Sequence, residues 1–539
     1  MNARSRTFRD WLLLAGFCAF LFFYRLGSFG LIGADEPRYA QVAREMLTRH
    51  DWITPTLGGV AWLEKPALYY WQAMMAYRIF GVSDWAARLP SAFDATLLVF
   101  AIYVFLGRFR PESQLDGALI AASMAGVIGF SRAASMDMPL AATFAIALLA
   151  WYTWYESSSR HFLALFYVFL ALATLAKGPV APFLAAVMVA LYALAKGDWS
   201  LIRRTLWVPG ILLFLGIALP WYIAVEIRNP QFLRVFIFEH NLARFGTNLY
   251  HHKQPFWYYV PVVLLGLAPW TVLVLAAIFP RVRVRWSERG EMLRSENALD
   301  AFLVIWMVVP IVFFSISQSK LPGYIVPALP AGALLLMQYV RRIAAENRRP
   351  NPLWMVLHSF VAAGLLVPSL MIAHILRQHH LPWNKATAVS SALTAMVGVG
   401  MAMTLSRPDG MRWLRFVTLV PVILSMATLL RIGAPVLDET LSARSLWADI
   451  AQMEDAAALP PLAVFEVPRE TEYGLAFYQN QVIARYENRQ IPPGTHIVVA
   501  PQTARVAVRK VLADRRVSYL GTFWPQKMDY YWVAPVGSY

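Results

Sequence analysis

Apolar runs dominate the pattern from the N-terminus to about residue 432. We read about thirteen of them as membrane spans, near 11–28, 87–107, 114–131, 138–155, 161–176, 179–195, 206–226, 257–279, 299–317, 324–340, 353–375, 386–404 and 414–432. A bilayer core takes roughly 20 apolar helical residues to cross, and runs this long rarely serve another purpose. Basic residues fall in alternate connections: Arg108 and Arg110; Arg160; Lys196, Arg203 and Arg204; Arg281, Arg283 and Arg285; Arg341, Arg342, Arg348 and Arg349; Arg407 and Arg412. The positive-inside rule then places the N-terminus in the cytoplasm and the C-terminus outside.

The loops between the runs carry their own signals. Two outer connections are long, 29–86 and 227–256. EPRYAQVAREML, PALYYWQAMMAYRIF and QPFWYYVP within them are amphipathic and aromatic, as suits segments lying in the interface plane. After residue 436 hydropathy falls. LSARSLWADIAQME and TARVAVRKVLAD predict helices, while LAVFEVP, HIVVAP, VSYLGTFW and YYWVAPV predict strands. The expected organisation is a transmembrane domain over 1–436 and a small α/β domain over 437–539 on the outer side.

Composition agrees. The 539 residues are 58% apolar and only 15% charged, against about a quarter charged in soluble domains; an ordinary cytosolic enzyme is excluded. The net charge of +16 is accounted for by cytoplasmic loops, and nucleic acid is not an expected partner. Cys18 is the only cysteine, so no intrachain disulfide and no cysteine-based metal site exist. Arg4, Arg6 and Arg9 precede the first run as in a signal peptide, but the run is long and lacks a clear cleavage site, which predicts an uncleaved span.

Candidate chemistry comes from placement. Asp35, Glu36 and Arg38 lie in GADEPRYA, Glu64 and Lys65 in WLEKPALYYW, Asp137 in SRAASMDMP, Lys177 in LAKGPVAP, Glu239 and His240 in FIFEHNLARF, and Lys320 in SQSKLPGYIVPALP. All emerge on the expected outer face. Outer loops should be poor in Lys and Arg, so Arg38, Lys65, Arg88, Lys177, Arg244 and Lys320 run against the rule. A charge at membrane depth costs about 3 kcal/mol on insertion scales. Both signs gathered on one face predict a polar site that handles an anion. Each member also has a plainer role: Asp35 and Asp137 can cap helices, and Lys177 and Lys320 can snorkel to the interface. His251, His252, His379 and His380 read as loop residues. A transporter would want polar mid-span residues and broken helices in both halves; here the charges collect at one interface.

The Asp-Glu pair after the first span, followed by WLEKPALYYW, resembles the bacterial aminoarabinose transferases, part of the larger group of membrane glycosyltransferases that includes the protein O-mannosyltransferases. SMDMP, AKGPVAP and SKLPGYIVPALP match the same pattern, so the resemblance covers about residues 1–340. It implies a GT-C fold and transfer of a sugar from undecaprenyl phosphate on the periplasmic face of the bacterial inner membrane. The implied acceptor is lipid A, with another lipid, glycan or protein left open, and the chain is expected to act as a monomer. Asp35, Asp137 and Glu36 are the implied catalytic carboxylates. Arg38, Tyr39, Lys65, Tyr69, Arg88, Lys177, Lys320 and Tyr324 are the implied substrate-binding residues. A divalent metal such as zinc is implied near Glu64 and His240, two donors that do not complete a site by themselves.

Overall fold

The computed structural model describes residues 3–243, 254–282, 298–346, 351–367, 370–371, 383–407, 409–453, 459–488 and 491–536. Arg244, His251, His252, His379, His380, Arg348 and Arg349, with most of the expected basic loop around Arg285, lie outside them. Two compact units emerge: residues 1–24, 63–72 and 88–431 form the first, and residues 25–62, 73–87 and 432–539 the second. The second unit is therefore larger than the expected C-terminal domain. It also draws in most of the first outer loop.

The first unit is helical. Among the described residues eight helices are long and apolar enough to cross a membrane, and ten spans result if each of two bent pairs counts as one. The bent pairs correct two of the expected straight spans. Gln114–Ala122 and Ala125–Ser131 meet at 63°, and Phe256–Gly266 and Thr271–Ile278 at 115°. Breaks in an apolar medium must re-satisfy the freed backbone groups, and here the two breaks do so for each other. Ala125 N–H donates to the Ala268 carbonyl at 2.7 Å, and Trp270 Nε1–H donates to Ser123 Oγ at 2.8 Å. Thr271 Oγ1–H closes the second break on the Leu264 carbonyl at 2.6 Å.

Helix direction sorts the charges to two ends. Asp137–Ser157 runs 21 residues one way and Arg160–Lys177 runs 18 back, which returns the chain to its starting level at 1.5 Å per residue. Asp137 and Lys177 therefore share one end. At the other end Arg110 Nε–H donates to Gln338 at 2.8 Å, and Arg342 pairs with Asp300.

The second unit holds the helix Asp35–Thr48, the hairpin β1 (Thr56–Leu57) and β2 (Val60–Ala61), and a mixed sheet. Its strands β3 (Leu462–Val464), β4 (Ala484–Arg485), β5 (His496–Pro501), β6 (Arg515–Phe523) and β7 (Met528–Pro535) lie in the order β4-β3-β5-β7-β6. The β3 strand runs parallel to β4 and β5, and the β5, β7 and β6 strands are antiparallel. Alternation along β5 explains the layers. Ile497 and Val499 pack with Leu446, Ile450 and Leu475 of two helices on one face. Val498 and Ala500 pack with Ala504, Val508 and Leu512 on the other. The strands and helices predicted after residue 436 are all present; the helix Arg469–Gln479 and the two-residue β4 were not anticipated.

Candidate active site

In the first unit the helix ends converge on a cavity of about 390 Å³. Lys65, Lys177, His240, Ser317, Ser319 and Tyr324 supply its polar wall, and Leu140, Val180, Phe183, Phe236, Phe313 and Phe314 its apolar wall. Lys177, the last residue of its helix, pairs with Asp137, the first residue of the preceding one. Its ammonium also lies 4.7 Å from the centre of the Tyr324 ring. Both pair members are mostly buried, at 15% and 19% side-chain exposure, so each holds the other's charge in place with little competition from water. The N-cap of the Asp137 helix is Met136, with no side-chain capping bond; the carboxylate is spent on Lys177.

Two glycines make this packing possible. A Cβ on Gly323 would stand 2.4 Å from the Asp137 carboxylate. Gly178 follows Lys177 in the left-handed region, at φ +94°, and a Cβ there would meet Phe236 at 2.6 Å. Phe236 belongs to the π-helical segment Arg234–Ala243, which also carries His240.

Several expected site residues are placed elsewhere. Lys320 is only 6% exposed and donates to the Ser317 carbonyl; burial pushes its ammonium below the usual lysine range. It braces the turn beneath the cavity and is absent from its wall. Tyr69 and Arg88 are fully buried and also off the wall. His240 Nε2 stands 3.8 Å from Glu64 Oε1, so the sequence-paired donors do meet. Among the described residues, however, no three His, Cys, Asp or Glu side chains converge anywhere, whereas a structural zinc takes four ligands. Glu64 and His240 thus supply two donors and, among the described residues, an incomplete metal site.

The second unit contains the other acidic pair. Asp35 opens its helix and pairs with Arg38. The Arg38 guanidinium lies over Trp62, Tyr39 and Tyr473, at 5.0, 5.1 and 5.8 Å from the ring centres. Asp35 is half exposed, and its N-cap, Ala34, makes no side-chain capping bond. Glu36 is buried and accepts the Ile32 N–H at 2.7 Å, which gives it a loop-holding task. Tyr39 is buried at 5% exposure.

The loop before Asp35 is clamped by residues that the sequence did not single out. Gly30 N–H donates to Asp438 at 2.6 Å and Leu31 N–H to the Tyr478 hydroxyl at 2.7 Å. Tyr478 donates onward to Asp84 at 2.7 Å. Arg444 reaches Asp84 at 2.8 Å and the Gly27 carbonyl at 3.0 Å. In the first unit Arg132 was also missed. It donates to the carbonyls of Leu21, Phe22 and Tyr24 at 3.1, 3.3 and 3.1 Å. Its position in SRAASMDMP breaks the positive-inside rule as Lys177 does, and that signal was available.

An ammonium beside a carboxylate and over an aromatic ring, at the rim of a largely apolar cavity, suits a ligand with an anionic head and a hydrocarbon tail. The fold that positions it has relatives. The crystal structure of ArnT from Cupriavidus metallidurans bound to undecaprenyl phosphate superposes with a TM-score of 0.76 over 98% of both chains, at 23% identity. The chain shares the GT-C fold of that structure. An Archaeoglobus fulgidus oligosaccharyltransferase structure shares the architecture more distantly, with a TM-score of 0.51 at 11% identity over 97% of this chain and 73% of that one. The profile of the dolichyl-phosphate-mannose-protein mannosyltransferases matches residues 8–236. Undecaprenyl phosphate-alpha-4-amino-4-deoxy-L-arabinose arabinosyl transferases from Serratia proteamaculans and Pseudomonas aeruginosa are each 32% identical, over 62% and 63% of this chain. The matched stretch spans about 60% of the length of these curated relatives.

Proposed function

We propose that the protein is an integral membrane glycosyltransferase that moves aminoarabinose from undecaprenyl phosphate to a phosphate of lipid A, on the periplasmic face of the inner membrane. The observation that carries this reading is the cavity whose rim presents Lys177, held by Asp137 and Tyr324, together with Lys65 above an aromatic wall. The ArnT-like fold and the curated relatives support it.

In the reaction the bond between the anomeric carbon and the donor phosphate oxygen breaks, and its electron pair leaves with polyprenyl phosphate. An acceptor oxygen bonds to the same carbon. Positive charge builds on the sugar and negative charge on the departing phosphate. Lys177 and Lys65 stabilise the phosphate as point charges. Asp137 orients Lys177, and a carboxylate so placed also favours the developing oxocarbenium charge. Asp35 with Arg38 serves the acceptor: it takes a proton where the nucleophile is a hydroxyl, and where the acceptor is an ionised phosphate Arg38 binds it. Glu36 positions this pair through the Ile32 loop. Lys320 supports the Ser317–Ser319 wall of the cavity.

The two broken spans do not favour transport, because the two breaks bond to one another. The test is reconstitution with a polyprenyl-phosphate sugar and lipid A, followed by mass spectrometry of the lipid. A mass increment of one amino pentose is expected. Lipid A unchanged by the reconstituted protein, and unchanged in cells with or without the gene, would refute this acceptor.

A further inference from the structure

We infer that a second pocket, wholly within the second unit, is a saccharide subsite for the acceptor; this deepens the transfer reading above and rests on it. The pocket has a volume of about 460 Å³, within the usual range for small-ligand sites, about 300–1,000 Å³. The helix Asp35–Thr48, the tip of the β1–β2 hairpin and the end of the helix Arg469–Gln479 enclose it.

The lining looks charged, yet Glu45, Arg49 and Glu472 are spent inside the protein, and Arg44 is held against Phe477. Arg44 donates to the Phe477 carbonyl at 2.7 Å and lies 4.5 Å over the Phe477 ring. Glu45 accepts from the Gly58 and Gly59 amides at 2.8 and 3.1 Å and from the Thr56 hydroxyl at 2.8 Å. Arg49 donates to Asp51 and Thr56 at 2.7 and 2.6 Å, and Glu472 pairs with Arg485. What the wall then offers a ligand, beside the Arg44 guanidinium, is neutral: the side-chain amides of Asn480 and Gln481, the Tyr473 ring, and Gln41. Gln41 is 6% exposed and its carbonyl oxygen has no hydrogen-bond partner, which in a protein interior costs about 1–3 kcal/mol unless a ligand or water answers it. Amides beside an aromatic ring suit a polyhydroxyl ligand with apolar C–H faces. A hydrocarbon would leave the amides unsatisfied.

Placement ties the pocket to the Asp35 pair. Gln41 and Arg44 stand six and nine residues along the same helix from Asp35, about 9 and 13 Å at 1.5 Å per residue. Tyr473 lines the pocket and also packs against the guanidinium of Arg38. A sugar ring held among the amides therefore leaves a phosphate or hydroxyl one or two rings away within reach of Asp35.

The experiment uses the full chain in nanodiscs, with Asn480→Gly and Gln481→Ala as variants. Asn480 sits in the left-handed region, at φ +55°, which glycine adopts freely, so the first variant removes the amide and keeps the backbone. Each variant should raise the acceptor KM about tenfold, one lost hydrogen bond's worth, with donor KM, kcat and Tm unchanged. The deacylated disaccharide bisphosphate of lipid A should compete with acceptor on the parent protein and about tenfold less on the variants, while inorganic phosphate at the same concentration should not compete. Transfer with an unmoved acceptor KM, or equal inhibition of parent and variants, overturns the subsite alone. Calorimetric binding of the disaccharide that Asn480→Gly abolishes, in a parent protein that transfers nothing, overturns the transfer reading and keeps the subsite; neither binding nor transfer overturns both.

Discussion

Adding one methyl group at Gly323 separates a catalytic role for the Asp137–Lys177 pair from a structural one. The Cβ of Gly323→Ala would lie 2.4 Å from the Asp137 Cγ and Oδ1 and 2.6 Å from Oδ2. Unstrained carbon contacts lie at about 3.5–4.0 Å, so the carboxylate must retreat by about 1 Å. Asp137 is the first residue of a buried helix, so the retreat falls on its side-chain torsions and breaks or lengthens the bond to Lys177. A misplacement of about 1 Å at a reacting group costs on the order of 100-fold in rate, equivalent to about 2.7 kcal/mol of barrier. Overpacking should cost about 1–3 kcal/mol of stability as well, so the variant must be compared at a temperature where it remains folded. Gly129→Ala is the matched control, since nothing lies within 4 Å of its Cβ and alanine favours a helix over glycine by about 1 kcal/mol. The assay is single-turnover transfer from a polyprenyl-phosphate sugar in proteoliposomes, with Tm measured on the same preparations. Gly323→Ala should lose 10- to 100-fold in rate while Gly129→Ala matches the parent. A Gly323→Ala protein within threefold of the parent rate, whatever its Tm, refutes the placement of this pair in the reaction.

Asp35→Asn, nearly isosteric, should keep membrane insertion and Tm but lose most transfer; full activity at matched expression removes Asp35 from the chemistry. Tyr478→Phe deletes the hydroxyl that accepts from Leu31 and donates to Asp84; each lost hydrogen bond is worth about 1 kcal/mol, so Tm should fall and kcat should drop with donor KM constant, and an unchanged kcat shows that the clamp does not position Asp35. His496 is buried, which lowers its pKa, and its ring meets the Tyr486 hydroxyl at 2.5 Å. A depressed histidine stabilises the fold above its unfolded pKa of about 6.5, so Tm should decline as pH falls below that value, and His496→Gln should flatten the decline; identical acid limbs dismiss the residue. Orientation is tested by single cysteines at Val506, 70% exposed in the second unit, and at Trp199, 60% exposed in an expected cytoplasmic loop: an impermeant thiol reagent should label the first in intact spheroplasts and the second only after lysis, and the reverse pattern inverts the topology.

What was legible in the chain follows from which forces act locally. Apolar runs located the helices because burial in lipid depends on composition over about 20 residues. The first bend was not legible as a bend, because Ser123 and Met124 sit within an apolar run; the second had a local signal in Gly266 and Pro269, but the bonds between the two breaks join residues more than 140 positions apart. The same limit governs the site. Breaking the positive-inside rule marked Lys65 and Lys177, which line the cavity. It marked Lys320 and Arg88 equally, and only packing distinguishes a cation on a cavity wall from one buried against a backbone carbonyl. The alliance of residues 25–62 with the C-terminal sheet was invisible for a related reason. Gly30, Asp84, Asp438, Arg444 and Tyr478 carry no local signature, and their significance lies in hydrogen bonds that span about 350 to 450 residues.

The two acid–cation pairs share a design. In each, the acid is the first residue of a helix and its partner lies over an aromatic ring: Asp35 with Arg38 over Trp62, and Asp137 with Lys177 over Tyr324. A first-turn carboxylate gains from the unsatisfied amides and the helix dipole, and with no capping bond to make it keeps its oxygens for the cation. The cation is held from two sides, by the carboxylate and by the face of the ring, an attraction that strengthens as water is withdrawn. A group fixed in this way need not reorganise when a phosphate arrives, and such preorganised charge is the usual source of rate enhancement where charge develops on a leaving group. Replacing the ring should therefore act through the cation: Tyr324→Leu keeps an apolar side chain at the wall, leaves Asp137 in place, and removes the ring face that holds Lys177. Its expected signature is a rate loss smaller than that of Gly323→Ala, about 5- to 10-fold for a cation–π contact worth about 1 kcal/mol. A loss equal to that of Gly323→Ala would instead mean that the phenol itself touches the reacting atoms.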